Sequence, residues 1–295
     1  MDQTIRRTDV AWLWLTVPIS FLLAVASGSG VFISGLYRDS ATLVAQAIGQ
    51  DGITLIVALP TLLIGAFLAG RGSQRARLIW LGGLVYVVYT YVGYAFDVRF
   101  NSLFLIYVAL LGCSTYALIG GLATIDWSGI KAGFAEGTPV KAVSIYLAVI
   151  AGLFYLLWLS EAVPASLTGD PPQSLIDTGT PTNFIHVLDM AWVLPAMAIA
   201  AISLWRRQPI GYTLAAVLLA YVGFLSLAIL SMVAFMVRAG QPVVIPQVVI
   251  FGALFAISIG MLIWYMRGFK SPTITGRSTN APLQRSSVSG TEGMS

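Results

Sequence analysis

The sequence predicts an all-α fold, a polytopic transmembrane helical bundle of about eight membrane-spanning helices. Three observations predict it. Eight apolar stretches, each running 16 to 30 residues without a charge, fill the 295-residue chain almost end to end, and a bilayer core takes about 20 such residues in a helix. Only 9% of the residues are charged, against roughly a quarter in a soluble domain. No stretch alternates apolar and polar side chains over about ten residues, as a barrel strand would. An open sheet would leave backbone donors and acceptors unpaired in lipid, so helices remain.

The stretches are taken in chain order. Span one, residues 10–34, follows Arg6 and Arg7. The basic pair, the apolar run and Ala24-Val25-Ala26 loosely resemble a secretory signal with its cleavage site, and cleavage would leave seven spans. The run continues through Val31-Phe32-Ile33, longer than such a signal needs, so an uncleaved helix is the expectation. Span two, 52–70, is opened by Asp51, whose carboxylate suits a helix N-terminus. Span three, 78–97, closes on Asp97 beside Arg99 and carries Tyr86, Tyr89, Thr90 and Gly93 on a rough helical stripe. Span four, 101–125, holds the single cysteine, Cys113. Span five, 142–163, ends at Glu161, on one face with Trp158 and Phe154. Residues 164–183, rich in Pro, Gly and Thr, read as an irregular cap.

Span six is the informative stretch. Its charge-free part, Met190 to Trp205, is only 16 residues. Reaching about 30 Å at 1.5 Å per residue requires a start near Phe184. Span six therefore becomes 184–205 and draws His186 and Asp189 into the helix, on one face at i, i+3. Spans seven and eight, 209–237 and 243–266, complete a single integral membrane domain over 1–270. Residues 271–295, rich in Ser, Thr, Gly and Pro, read as a disordered cytoplasmic tail.

The connections divide by charge. Arg6, Arg7, Arg71, Arg75, Arg77, Lys131, Lys141, Arg206, Arg207, Arg267, Lys270, Arg277 and Arg285 fall on one side, and only Arg38, Arg99 and Arg238 on the other. The positive-inside rule then predicts a cell-membrane protein with both termini cytoplasmic, in agreement with an even number of spans. Asp39, Asp51, Asp97, Glu161, Asp170, Asp177 and Asp189 fall at the outer ends. Pro60 and Pro195 are separated by 135 residues, as are Arg71 and Arg206, Tyr86 and Tyr221, and Asp51 and His186. That offset suggests two four-helix pseudo-repeats in parallel orientation. Proline in a membrane helix followed by a basic end is also commonplace without any repeat.

No span carries an Asp, Glu, His, Lys or Arg at its predicted middle, which argues against a midplane proton relay. One histidine excludes bis-histidine haem, and one cysteine excludes an intrachain disulfide. The basic residues sit where topology puts them and imply no nucleic-acid partner. The lipid bilayer is the predicted partner, and the sequence names no cofactor and no oligomeric state.

The outer ends offer a candidate ligand-binding set: Asp51, Tyr86, Tyr89, Asp97, Glu161, His186 and Asp189. The leading expectation is a multi-pass membrane protein with an acidic outward-facing pocket that binds a small molecule or cation, with transport as its extension. An alternative is a membrane-embedded enzyme acting on a lipid-linked or amphipathic substrate. His186 would be its base, with Asp189 or Asp51 orienting the imidazole. Asp51, Glu161, His186 and Asp189 are the candidate metal ligands for that version. A third reading is a structural or partner-binding protein. Against each stands the ordinary reading: a polar helix end at His186 and Asp189, an interfacial ion pair between Asp97 and Arg99, and aromatic belts.

Overall fold

In the computed structural model, which describes residues 7–270, the eight stretches are eight helices. They span Ala11–Phe32, Ala41–Gly70, Gln74–Phe96, Phe104–Ala123, Val140–Thr168, Phe184–Trp205, Pro209–Arg238 and Ile245–Arg267, spans one to eight in order. The tail over 271–295 lies outside the described residues. Among the described residues the sole β-type pairing is an isolated bridge between Phe134 and Phe269.

The bundle is built around spans three and seven, whose apolar windows are 72% and 67% buried, against 17–44% for the others. Gly82 explains how closely they approach. A Cβ there would lie 2.6 Å from the Cβ of Ala220 and 2.7 Å from the carbonyl oxygen of Val217. Large apolar side chains face outward instead around the rim, among them Phe21, Phe67, Leu105, Leu156, Ile202 and Val249. Water would not tolerate such a surface, and lipid requires it. The chain is a multi-pass membrane protein.

Neighbouring helices run antiparallel, so the bundle has a basic end and an acidic end. Polar ties close the basic end. Arg77 donates to Thr124 Oγ1 at 2.7 Å and to the Gly121 carbonyl at 3.2 Å. Arg75 donates to the carbonyl of Phe269. Lys270 N–H donates to Gly133 at 2.7 Å and Ala135 N–H to Gly268 at 2.8 Å. Phe269 itself is buried against Phe134.

Two boundaries differ from the sequence reading. Span two starts at Ala41, eleven residues before the expected position, capped by Ser40. Its first three turns carry Gln46, Gln50 and Asp51, which resembled a loop. They are helical because neighbours satisfy them: Gln50 Nε2 donates to Thr90 Oγ1 at 2.8 Å, and Gln46 Nε2 lies 3.4 Å from Met236 Sδ. Asp51 is therefore an interior residue of the span and not its opening. Span five runs on to Thr168 through Pro164 and stops at Gly169, φ 79°. The expected irregular cap contains a further short helix, Gln173–Thr178, ended by Gly179 at φ 70°. Span six matches the sequence reading at both ends. Its cap is Asn183, which accepts from the backbone of Ile185 and His186 at 3.0 and 3.2 Å. Asp189 is thereby free for other work.

The 135-residue offset reappears in the backbone. A five-residue π-helical stretch occupies Thr54–Ala58 and another Asp189–Val193. Each is followed by twelve α-helical residues, Leu59–Gly70 and Leu194–Trp205. Left-handed residues then sit at Gly72, φ 91°, and Arg207, φ 54°, and the next helices open at Gln74 and Pro209. The prolines account for the π-turns. Leu59 and Leu194 donate to the fifth residue back, Thr54 and Asp189, and the following Pro60 and Pro195 have no N–H to donate. Ring contacts exchange under the same offset. Tyr86 meets Phe224 at 5.8 Å and Tyr221 meets Tyr89 at 5.7 Å.

Candidate functional site

The break in span six positions the chemistry. Asp189 begins the π-helical stretch and is 7% exposed. Tyr89 OH donates to its Oδ1 at 3.1 Å and Trp158 Nε1–H to its Oδ2 at 2.9 Å. Pro195 leaves the carbonyl of Met190 without a helical donor five residues on, and Tyr155 OH supplies one at 2.7 Å. Spans three, five and six are thus pinned together around one carboxylate.

A cavity of about 390 Å³ opens beside it, within the size range of small-molecule pockets. Spans two, three, five, six, seven and eight wall it, and residues 178–183 reach its mouth. Most of the wall is apolar: Phe154, Met197, Leu225, Met232, Met236 and Phe251 are representative. Polar groups interrupt it in several places, and residues 178–183 add three threonines and Asn183 at the mouth. Gln46, Gln50 and Thr90 lie on one side, Asp189, Tyr89 and Tyr221 toward the bottom, and Asp39 and Asp97 at the mouth. Among the described residues no lysine or arginine lines it.

Of the expected site residues, Tyr89, Asp97 and Asp189 line this cavity. His186 and Glu161 form a separate pair, Nε2 to Oε2 3.6 Å, and His186 packs on Trp158 with ring centres 4.3 Å apart. They touch the cavity through Trp158 and do not line it. Asp51 lies elsewhere, 2% exposed between spans one, two and three. Tyr37 OH donates to it, and Gly30 leaves the room it fills. Tyr86 is fully buried, 2.8 Å from Thr54 Oγ1, and off the cavity wall.

This geometry corrects three expectations. Asp189 accepts from Tyr89 and Trp158 and Asp51 from Tyr37, so neither orients the imidazole of His186; among the described residues its carboxylate partner is Glu161. Asp51, Glu161, His186 and Asp189 do not converge as metal ligands, and among the described residues no three His, Cys, Asp or Glu side chains do. Arg99 does not pair with Asp97. Its backbone N–H donates to Asp39 Oδ1 at 3.1 Å, and its guanidinium to the carbonyl of Arg38 at 3.2 Å.

Asp39, Asp97 and Arg99 therefore share the mouth without an ion pair between the Arg99 guanidinium and Asp97. Asp97 is held above the ordinary carboxylate range, chiefly by burial and secondly by the charge of Asp39. Tyr37, in the first connection, is raised by burial and then by Asp51. Gln46, Gln50, Ser226 and the methionine wall were missing from the sequence reading. Two glutamines at i, i+4 in an otherwise apolar run were the available signal.

No protein-family model, curated protein or solved structure matches this chain.

Proposed function

We propose that this membrane protein binds a small amphipathic molecule in the cavity beside Asp189, entering from the acidic end of the bundle. The observation that carries the reading is the cavity itself. A packed helical bundle leaves few voids larger than a water molecule. This one is large and mostly apolar, with polar groups set into the wall at separate places, Asp189 among them, the pattern of a ligand site. The charge distribution supports an acidic end facing out and a basic end facing the cytoplasm. The contact of spans three and seven at Gly82 supports binding from one side over passage through the bundle.

A bulky side chain in the cavity tests this. Leu225 lines the wall and is half-buried. Leu225→Trp fills part of the space, and a fluorescent amphipathic probe should then bind to protein in lipid nanodiscs at least about ten-fold more weakly. Unchanged binding in the folded variant would overturn the reading.

A further inference from the structure

We propose that the Asp189 end of the cavity is a subsite for an organic ammonium, so that the molecule bound is an amphipathic amine. This rests on the cavity's being a ligand site and names the chemical class it takes.

Four observations converge. First, Asp189 is a buried carboxylate with no basic partner among the described residues. Its two oxygens each accept one neutral donor, from Tyr89 and Trp158. The nearby His186 is paired with Glu161. A carboxylate has roughly four acceptor positions, so capacity for a further donor remains. Second, the hydroxyl of Tyr221, on a residue that is 0% exposed, makes no hydrogen bond of normal length; the polar group it faces is the phenol of Tyr89, which itself donates to Asp189. Tyr221 lines the same cavity, its ring 5.7 Å from that of Tyr89. A buried hydroxyl without a good partner costs stability, and a small shift of the Tyr221 side chain toward a ligand donor would supply one. Third, Trp158, Tyr89, Tyr221 and Phe184 all line the cavity beside this carboxylate. Aromatic faces attract cations, and most strongly when water is excluded. Fourth, the remainder of the wall is apolar and includes Met197, Met232 and Met236, side chains that adapt to the shape of an apolar body.

The same lining decides against an anion. Asp39, Asp97 and Asp189 line the cavity and, among the described residues, no lysine or arginine does. A bare divalent ion is disfavoured too, because three carboxylate or imidazole ligands do not meet here. An ammonium needs one carboxylate, one or two neutral acceptors and rings, and these are present.

The test compares two probes on the full chain in lipid nanodiscs, with empty nanodiscs as the partition control. One is an alkylamine carrying a dansyl group at the far end. The other is its N-acetylated twin, of closely similar size but uncharged. The amine should bind at least about ten-fold more tightly to the native protein. Asp189→Asn should bring the two probes to equal affinity, and Tyr221→Phe should weaken the amine more than its twin. Equal binding of both probes to the native protein overturns the ammonium subsite and leaves the cavity as a site for neutral molecules. So does a preference that survives in Asp189→Asn. Failure of both probes to bind overturns the cavity reading itself. The comparison on the native protein needs no variant to fold.

Discussion

At the scale of single residues, the acidic end shows what burial does to charge. Asp97 carries a raised pKa because it is partly desolvated and faces Asp39. A carboxyl whose folded pKa lies above its unfolded value holds its proton more tightly when folded. Stability then falls as pH rises from the ordinary carboxylate range through the raised value. The cost is absent at lower pH. Asp97→Asn should therefore raise the thermal midpoint near neutral pH, by a small amount given the exposure of the site, and the gain should vanish near pH 3 to 4, the ordinary range for Asp. Thermal unfolding in detergent at the two pH values measures this, and an equal gain at both would remove the electrostatic explanation. Tyr155 makes a different kind of prediction. Its hydroxyl is the donor to the carbonyl that Pro195 leaves open. Tyr155→Phe should destabilise the protein by about 1 kcal/mol in denaturant unfolding, with near-native behaviour arguing that water can replace the phenol.

Among the elements, spans three and seven set the tolerance of the bundle. Gly82→Ala places a methyl within 2.6 Å of Ala220 and forces backbone apart at the centre. Overpacking of this kind costs about 1–3 kcal/mol. Gly28→Ala is the matched control, because nothing lies within 4 Å of a Cβ there. Equal midpoints for the two variants would contradict the close packing at Gly82. The sequence reveals elements to the extent that length and charge constrain them. Span six came out at both ends because 16 charge-free residues cannot cross a bilayer. Span two did not, since Asp51 suits the opening of a helix, and the partners that hold Gln46, Gln50 and Asp51 inside it, Met236, Thr90 and Tyr37, are not visible in the sequence. The candidate site divides the same way. Tyr89 and Asp189 shared a legible signal, helical position near an outer end, and they meet. Asp51 had the same signal, but it lies on the opposite flank of span three, and a one-dimensional pattern does not say which flank an acid faces.

For the whole molecule, the division of charge between the ends makes a topological prediction. In a Cys113→Ser background, Asp170→Cys should react with a membrane-impermeant maleimide on intact cells. Arg207→Cys should react only after permeabilisation. The reverse pattern would invert the protein and place the mouth of the cavity in the cytoplasm. The 135-residue correspondence has a consequence of another kind. Thr54 and Asp189 open the two π-turns. The first binds the buried phenol of Tyr86, and the second presents a carboxylate to the cavity. The same backbone break thus holds a neutral hydrogen bond in one half of the chain and sets a carboxylate beside open space in the other, so a substitution at Thr54 bears on packing alone, whereas one at Asp189 bears on packing and on the cavity.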